Sequence, residues 1–222
     1  MYFDLMSSNH KKTKRDYLAR VNNKKFPKYK AAIKAKKYGY DYWDGSRDIN
    51  YGGYNYIEGR WDKIIKKLLK KYKLPKNPKI LDIGCGKGFF LYDFKKHVPS
   101  AEVHGLDISK YAIKNSKKEI KNKIKYGCAS KLPWKKNFFD LVVSFNTLHN
   151  LYNFKLFNAL KEISRVKKKN SYICVESYRN EKEKQNLLYW QVTCESFYTP
   201  TEWKWWFKLT KYKGDYSFIF FE

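Results

Sequence analysis

Acidic residues are few in this 222-residue chain: 21 Asp and Glu stand against 48 Lys and Arg, a formal net charge of +27. Arginine is scarce too, so the excess is almost wholly lysine. Arginine is the preferred group for bidentate contacts to phosphates and bases, and the lysines are spread along the chain, as at 66–73 and 117–125. Nucleic acid is therefore the weaker reading of the charge. Solvated lysine faces, or steering of an anionic or sugar-like small molecule, account for it better. The four cysteines, Cys85, Cys128, Cys174 and Cys194, have no short spacing of the structural-zinc kind. No cluster of ligand-type side chains calls for a metal. The opening MYFDLMSSNHKKTKR has no continuous apolar stretch of the signal-peptide type, and no segment reaches bilayer-spanning length. A cytoplasmic location is the default expectation.

What the chain does have is rings: 20 Tyr, 15 Phe and 7 Trp, within a hydrophobic fraction of 43%. That fraction supports a packed core rather than disorder. Residues 38–61, YGYDYWDGSRDINYGGYNYIEGRW, concentrate six tyrosines, two tryptophans and five glycines. Turn signals at 44–45, 52–53 and 58–59 argue against one regular element. The segment reads as a lid or binding loop, or as an irregular aromatic layer over the domain. Tyr51, Tyr54 and Tyr56 are its candidate substrate walls. Its only cations, Arg47 and Arg60, are candidates for a substrate phosphate and for a cofactor carboxylate respectively.

After a helix-spaced run, Ile64, Ile65, Leu68 and Leu69, strands and helices alternate. Strands are expected at 79–83, 102–108, 124–127, 139–145, 171–177 and 214–221. Helices are expected at 88–96, from Ser109 to about 121, at 154–166 and from Thr199 onward. Such alternation implies a mostly parallel sheet covered on both faces. Residues 1–62 divide as a basic arm, frayed or helical, and the aromatic lid; 63–222 form one domain.

The segment Asp82-Ile83-Gly84-Cys85-Gly86-Lys87-Gly88 sits between the first strand and its helix. Glycines in such a turn let a ligand approach the backbone, and the N–H groups of the turn and helix start receive a carboxylate or anion. Asp107, ending the second strand, can accept both hydroxyls of a ribose, as in dinucleotide-binding units. A dinucleotide site prefers G-x-G-x-x-G and a pyrophosphate at the helix N-terminus. Here glycine stands at 84, 86 and 88, and Asp82 would repel a pyrophosphate. A zwitterionic methionyl tail fits that carboxylate better.

LDIGCGKGFF, HGLDIS, GCASKLPW and FFDLVVSFNTLHNL together resemble the class I, Rossmann-like S-adenosylmethionine-dependent methyltransferases, over roughly residues 60–222. The resemblance implies an α/β three-layer αβα sandwich with six or seven strands. It also implies S-adenosyl-L-methionine as cofactor and S-adenosyl-L-homocysteine as product. Asp82, Gly84, Cys85, Gly86 and Gly88 would surround the methionine portion, and Asp107 would hold the ribose. Ile108, Cys128 and Ala129 would line the adenine, and Asn146 would close the floor beside the sulfonium. Many relatives carry an acidic residue where Cys128 stands, so the adenine amino group would need another partner, such as Ser130 or backbone. The terminal motifs YGGYNYIEGRW, TCESFYTPTEW and GDYSFIFFE resemble a narrower group of small-molecule methyltransferases associated with surface-polysaccharide biosynthesis.

Methyl transfer to oxygen needs a proton acceptor. His149, just after the fourth strand, is the first candidate, although a cap or a backbone contact would equally explain it. Glu176, ending the fifth strand, is the alternative base, or orients His149, or binds a sugar hydroxyl. Glu195 and Tyr198 are further substrate candidates. The leading expectation is O-methylation of a sugar, a nucleotide-linked sugar or a phosphorylated precursor. RNA or protein methylation and N-methylation of a small molecule are alternatives, and a cofactor-binding partner subunit without activity is a third reading. A monomer or homodimer fits the sequence equally.

Overall fold

The computed structural model describes residues 1–6 and 16–222; residues 7–15 of the basic arm lie outside the described residues. Six strands, β1 (Lys79–Ile83), β2 (Glu102–Asp107), β3 (Ile124–Tyr126), β4 (Phe139–Phe145), β5 (Lys167–Glu176) and β6 (Asp215–Ile219), form one sheet in the order β3-β2-β1-β4-β5-β6. Every neighbouring pair is parallel. Side chains alternate across it. Ile80, Leu141, Val143 and Tyr172 join one core layer, while Leu81, Ile83, Val142, Ile173 and Val175 join the other. Both faces are covered, so the strands read as near-continuous apolar runs.

The first layer is closed by α4 (Asp62–Lys71) and α5 (Phe89–His97), with Ile64, Ile65, Leu68, Phe90 and Phe94 turned inward. The second is closed by α7 (Asn153–Val166) and α9 (Pro200–Leu209), through Leu156, Leu160, Ile163 and the fully buried Trp203. Helix α9 starts as its sequence dictates: Thr199 and Glu202 form a reciprocal capping box and Pro200 occupies the first turn. The sandwich and the mostly parallel sheet match expectation. So do the bounds of β1 and β4.

Two helices differ from expectation. The one after β2, α6 (Lys110–Lys114), stops well before 121. Ile120 is the reason: it is buried beside Gly88 and Ile124, and the chain must leave the helix to deliver it there. Helix α8 (Glu181–Trp190) was not expected, because EKEKQNLLYW buries only Glu183 and Leu187 and lacks an apolar stripe. Its start is fixed by Asn180, whose side chain accepts from the Glu183 N–H at 2.9 Å.

The N-terminal residues lie along the open edge of β6. Phe3 N–H donates to Tyr216 O at 2.8 Å and Tyr216 N–H to Met1 O at 3.0 Å, which covers an otherwise unpaired edge. Residues 17–61 include α1 (Tyr17–Val21), α2 (Lys28–Ala35) and the single turn α3 (Tyr40–Trp43). They build a small core of their own, in which Ala31, Ala35, Tyr42, Trp43 and Ile49 meet Ala112 and Val192 of the main domain. The aromatic segment is thus both a wall and a packed layer.

Gly88 opens α5 with φ of 72°, and a Cβ there would stand 2.1 Å from Ile120 Cδ1 and 2.9 Å from Ile124 Cδ1. Left-handed backbone and overpacking both oppose any side chain. Gly88→Ala is expected to destabilise the fold by about 2–3 kcal/mol, read by urea or thermal unfolding. A change below about 0.5 kcal/mol would contradict this role for Gly88.

Candidate active site

The strand order reverses between β1 and β4, and a crevice opens at that switch point, outside the carboxyl ends of the strands, where open parallel sheets bind ligands. It is a cavity of about 590 Å³, within the range of small-molecule sites. Asp82, Gly84, Cys85 and Gly86 enter it from the end of β1, Asp107 and Ile108 from β2, Cys128 and Ala129 from the turn after β3, and Asn146 from β4. Tyr51, Tyr54 and Arg60 form the wall contributed by the aromatic segment, and Glu195 comes from the stretch after α8. The topology therefore brings together most of the residues singled out from the sequence.

Two buried carboxylates define the electrostatics. Asp82 is 3% exposed and its Oδ1 has no hydrogen-bond partner. Burial, and then the charge of Asp107, push its pKa well above the usual carboxylate range. Asp107 is also raised by burial, but backbone donors oppose the shift: Gly86 N–H donates to Oδ2 and Ser109 N–H to Oδ1, each at 2.7 Å. Each oxygen keeps further acceptor capacity. Asn146, in left-handed backbone with φ of 53°, turns a buried and unpartnered Oδ1 toward the same space. Orphaned acceptors at a cavity wall are what a cationic, hydroxyl-bearing ligand would satisfy.

The aromatic segment covers the glycine loop. Trp43 stacks on Tyr51 with centroids 5.5 Å apart, and Tyr54 stacks on Phe89 at 5.3 Å. A Cβ on Gly86 would stand 2.7 Å from the Trp43 ring, so glycine lets indole and loop meet. Burial raises the phenols of Tyr38, Tyr42, Tyr51 and Tyr54 above their usual range and keeps them protonated.

The two expected bases lie elsewhere. His149, in a single 3₁₀ turn, is 2% exposed and does not line the cavity. Its Nδ1 accepts from the Glu176 backbone N–H at 3.3 Å, so the proton resides on Nε2, 3.4 Å from Glu176 Oε2. Burial holds the imidazole pKa down to about 3. Glu176 is likewise outside the wall and accepts from Gln191 Nε2 at 2.5 Å. Of the readings open from the sequence, the pair matches the one in which Glu176 orients His149. Together they support the wall from behind, where the His149 carbonyl accepts from both Glu195 and Ser196 N–H at 2.9 Å.

Five other residues singled out from the sequence lie outside the cavity wall. Arg47 donates to Asn50 O at 2.9 Å and lies over the Trp190 ring, outside the cavity. Tyr56 donates to Asp93 Oδ1 at 2.5 Å, and Tyr198 bonds the Asn153 side chain. Gly88 shapes the helix start and leaves the wall to its neighbours. Ser130 turns its hydroxyl to Cys128 Sγ at 3.2 Å and is also absent from the wall. Sequence reasoning passed over Tyr38, Tyr42 and Trp43, and also Lys36, which pairs with Glu195 at 2.5 Å. The first three stood inside the ring-rich segment; nothing local distinguished them from its packed members.

Residues 74–213, well over half of the chain, match the family model described as Methyltransferase domain. Among curated proteins, an uncharacterised methyltransferase of Schizosaccharomyces pombe is 35% identical over 111 residues, covering 45% of this chain and 39% of that protein. Demethylmenaquinone methyltransferase of Staphylococcus carnosus is 34% identical over 118 residues, covering 50% and 48%. The match thus spans less than half the length of these relatives. Among solved structures, the YcgJ protein of Bacillus subtilis aligns with a TM-score of 0.54 at 19% identity, over 66% of each chain. A chain from the complex of the Trm112 methyltransferase activator with a methyltransferase of Haloferax volcanii aligns at 0.55 and 19%, over 69% and 70%. These structural likenesses show the fold; the family match, joined to a carboxylate-walled crevice at the switch point of a parallel sheet, makes this chain a member of the methyltransferase-domain family.

Proposed function

We propose that the chain methylates a small molecule enclosed beneath the aromatic segment, and that the acceptor atom is an amine nitrogen. The observation carrying this is the chemistry of the wall. Among the described residues no imidazole lines the cavity, burial keeps the phenols of Tyr42 and Tyr54 protonated, and the Glu195 carboxylate is paired with Lys36. An alcohol needs its proton taken during attack. An amine attacks with its lone pair and releases the proton afterwards, so a wall whose unpaired carboxylate, Asp82, is taken up by the cofactor's ammonium group suits nitrogen better than oxygen.

In this reading Asp82 takes the cofactor's ammonium group, with Asn146 Oδ1 beside it. Asp107 accepts the ribose hydroxyls, Arg60 holds the carboxylate, and Ile108, Cys128 and Ala129 face the adenine. When bound, the cofactor supplies a sulfonium methyl group open to in-line displacement. The residues then act by alignment and exclusion of water. The faces of Tyr51, Tyr54 and Trp43 favour a cation over the loop; the acceptor attacks as the neutral amine, and Glu195 then pairs with the alkylammonium formed, whose proton passes to solvent. Exposed lysines stand on α4 and α5 at one face of the sheet and on α7 and α9 at the other. Such dispersed charge favours a small molecule over RNA or a protein surface.

A second reading keeps the sugar, nucleotide-linked sugar or phosphorylated precursor of surface-polysaccharide synthesis as an O-methyl acceptor. The observation in its favour is Glu195 beside Lys36, with Lys37 and Lys155 also on the wall. There Glu195 would be the base and the lysines would meet an anionic group.

With methyl-labelled cofactor and matched pairs of amino sugars and parent sugars, label is expected in the amines. Label confined to hydroxyl compounds would overturn the nitrogen reading in favour of the second. Glu195→Gln should lower kcat/KM by about 10–100-fold while S-adenosylhomocysteine affinity stays unchanged.

Asp82→Asn should weaken S-adenosylhomocysteine binding by about 10–100-fold, the scale of one charge-assisted contact, by calorimetry. The same variant should make the cofactor-free protein more resistant to heat. Because the folded pKa of Asp82 is raised, the protonated form stabilises the fold, and that contribution is lost as pH rises through the raised value. Removing the charge removes the penalty at neutral pH. Unchanged affinity would sink this seat for the ammonium group.

His149 has the opposite sign. Its folded pKa of about 3 lies below the unfolded imidazole value of about 6.5, so its contribution to stability is whole above about 6.5 and is lost progressively as pH falls toward 3. His149→Gln should flatten unfolding stability against pH between about 6.5 and 4. The pH–rate profile of the parent enzyme should have no limb belonging to this imidazole; a limb near 6.5 that disappears in His149→Gln would restore it as the base.

A further inference from the structure

Lys87 stands between Gly86 and Gly88, in the loop that skirts the cavity, yet it is not part of the cavity wall. It is 5% exposed, a rare state for lysine unless its ammonium group is paired. Its Nζ lies 2.7 Å from both Asp44 Oδ1 and Asp44 Oδ2 and donates to Tyr54 O at 2.9 Å. Asp44 is itself a hub of the aromatic segment. It accepts from Tyr54 N–H at 3.0 Å and from the Tyr111 hydroxyl at 2.8 Å. These donors hold its carboxyl below the usual range despite partial burial. The neighbouring Trp43 lies on Gly86 and donates through Nε1 to Ser109 Oγ at 2.9 Å, and Ser109 N–H in turn bonds Asp107. The segment is tied to the cofactor loop at one residue and to the second strand's carboxylate at another.

We propose that Lys87 is a positioning residue for the cofactor site: through Asp44 and the Tyr54 carbonyl it holds Trp43, Tyr51 and Tyr54 closed over the glycine loop and so sets how fast S-adenosylhomocysteine leaves. The proposal rests on the cofactor seat described above, which the Asp82→Asn binding measurement tests separately. All three rings line the cavity, and in this proposal a ligand beneath them leaves when they lift from the loop. Lifting them parts Lys87 from Asp44, and separating a buried ion pair leaves uncompensated charge in a poorly solvated place. An enzyme that turns over must release its product, and such openings set many turnover rates. The lysine of the loop therefore acts on the lid and not on the cofactor itself.

A pulse-chase of labelled S-adenosylhomocysteine from the full chain reads this directly. Lys87→Met and Asp44→Asn should each speed dissociation at least tenfold. Each also leaves a buried charge without its partner, so thermal stability should fall as well. The double variant Lys87→Met, Asp44→Leu removes both charges. Its thermal stability should return to near the parent's while dissociation stays at least tenfold faster, which a merely structural role would not produce. Lys96→Met, breaking the exposed pair with Glu58, is the control and should leave dissociation unchanged. Parent-like dissociation from the double variant would overturn the proposal, as would parent-like dissociation from Lys87→Met.

Discussion

Two carboxylates at the ends of adjacent parallel strands, too deep for water and too near each other for comfort, are the constraint around which this molecule is arranged. Asp82 and Asp107 end strands paired in register, Asp82 opposite Gly105 and Asp107 two residues on. The burial that packs the sheet also raises both pKa values. Backbone N–H groups from the glycine loop and from Ser109 offset this for Asp107, but Asp82 keeps an oxygen with no partner. A fold tolerates such an atom only where something else uses it. A ligand with an ammonium group and ribose hydroxyls, as proposed above, would relieve both.

The same reasoning sets a cluster of carboxylates into the cavity of a strongly positive protein, beside Lys36, Lys37, Lys155 and Arg60. A chain of +27 places Asp82, Asp107 and Glu195 on one cavity wall and Asp44 just behind the lid. The lysines that do reach this region are partly spent internally, Lys87 on Asp44 and Lys36 on Glu195. The charge on the surface therefore says little about the charge a ligand would meet inside the cavity.

Legibility followed the backbone. The strands could be read because each is an apolar run of the length a covered parallel sheet requires, and Asp82, Asp107 and Asn146 were found because a strand end is fixed once the strand is. Helix α8 escaped because its residues bury almost nothing, and α6 was overextended because Ile120 is placed by a tertiary contact with Gly88 that no local pattern reports. The aromatic segment was recognised as a whole but not residue by residue. Tyr51 and Tyr54 reach the wall, whereas Tyr56 is drawn off by Asp93, and only the folded position of α5 decides between them.

His149 and Glu176 lie off the cavity wall for a more general reason. Both follow strands at the ligand-binding edge, and an edge position fixes the height of a side chain but not whether it looks outward. Along β5 the buried faces alternate, and Glu176 falls on the face shared with Tyr172 and Cys174, under α8 and Gln191. Its backbone N–H meets His149 Nδ1 and its carbonyl meets Trp203 Nε1 at 3.0 Å, so the strand end is held on both sides. Burial favours the neutral form of the imidazole drawn into that corner, which lies off the cavity wall. What it does instead is hold out a carbonyl on which Glu195 and Ser196 hang. At this edge the carboxylate that reaches the cavity is thus Glu195, delivered by the stretch after α8, and not the two side chains that follow the strands.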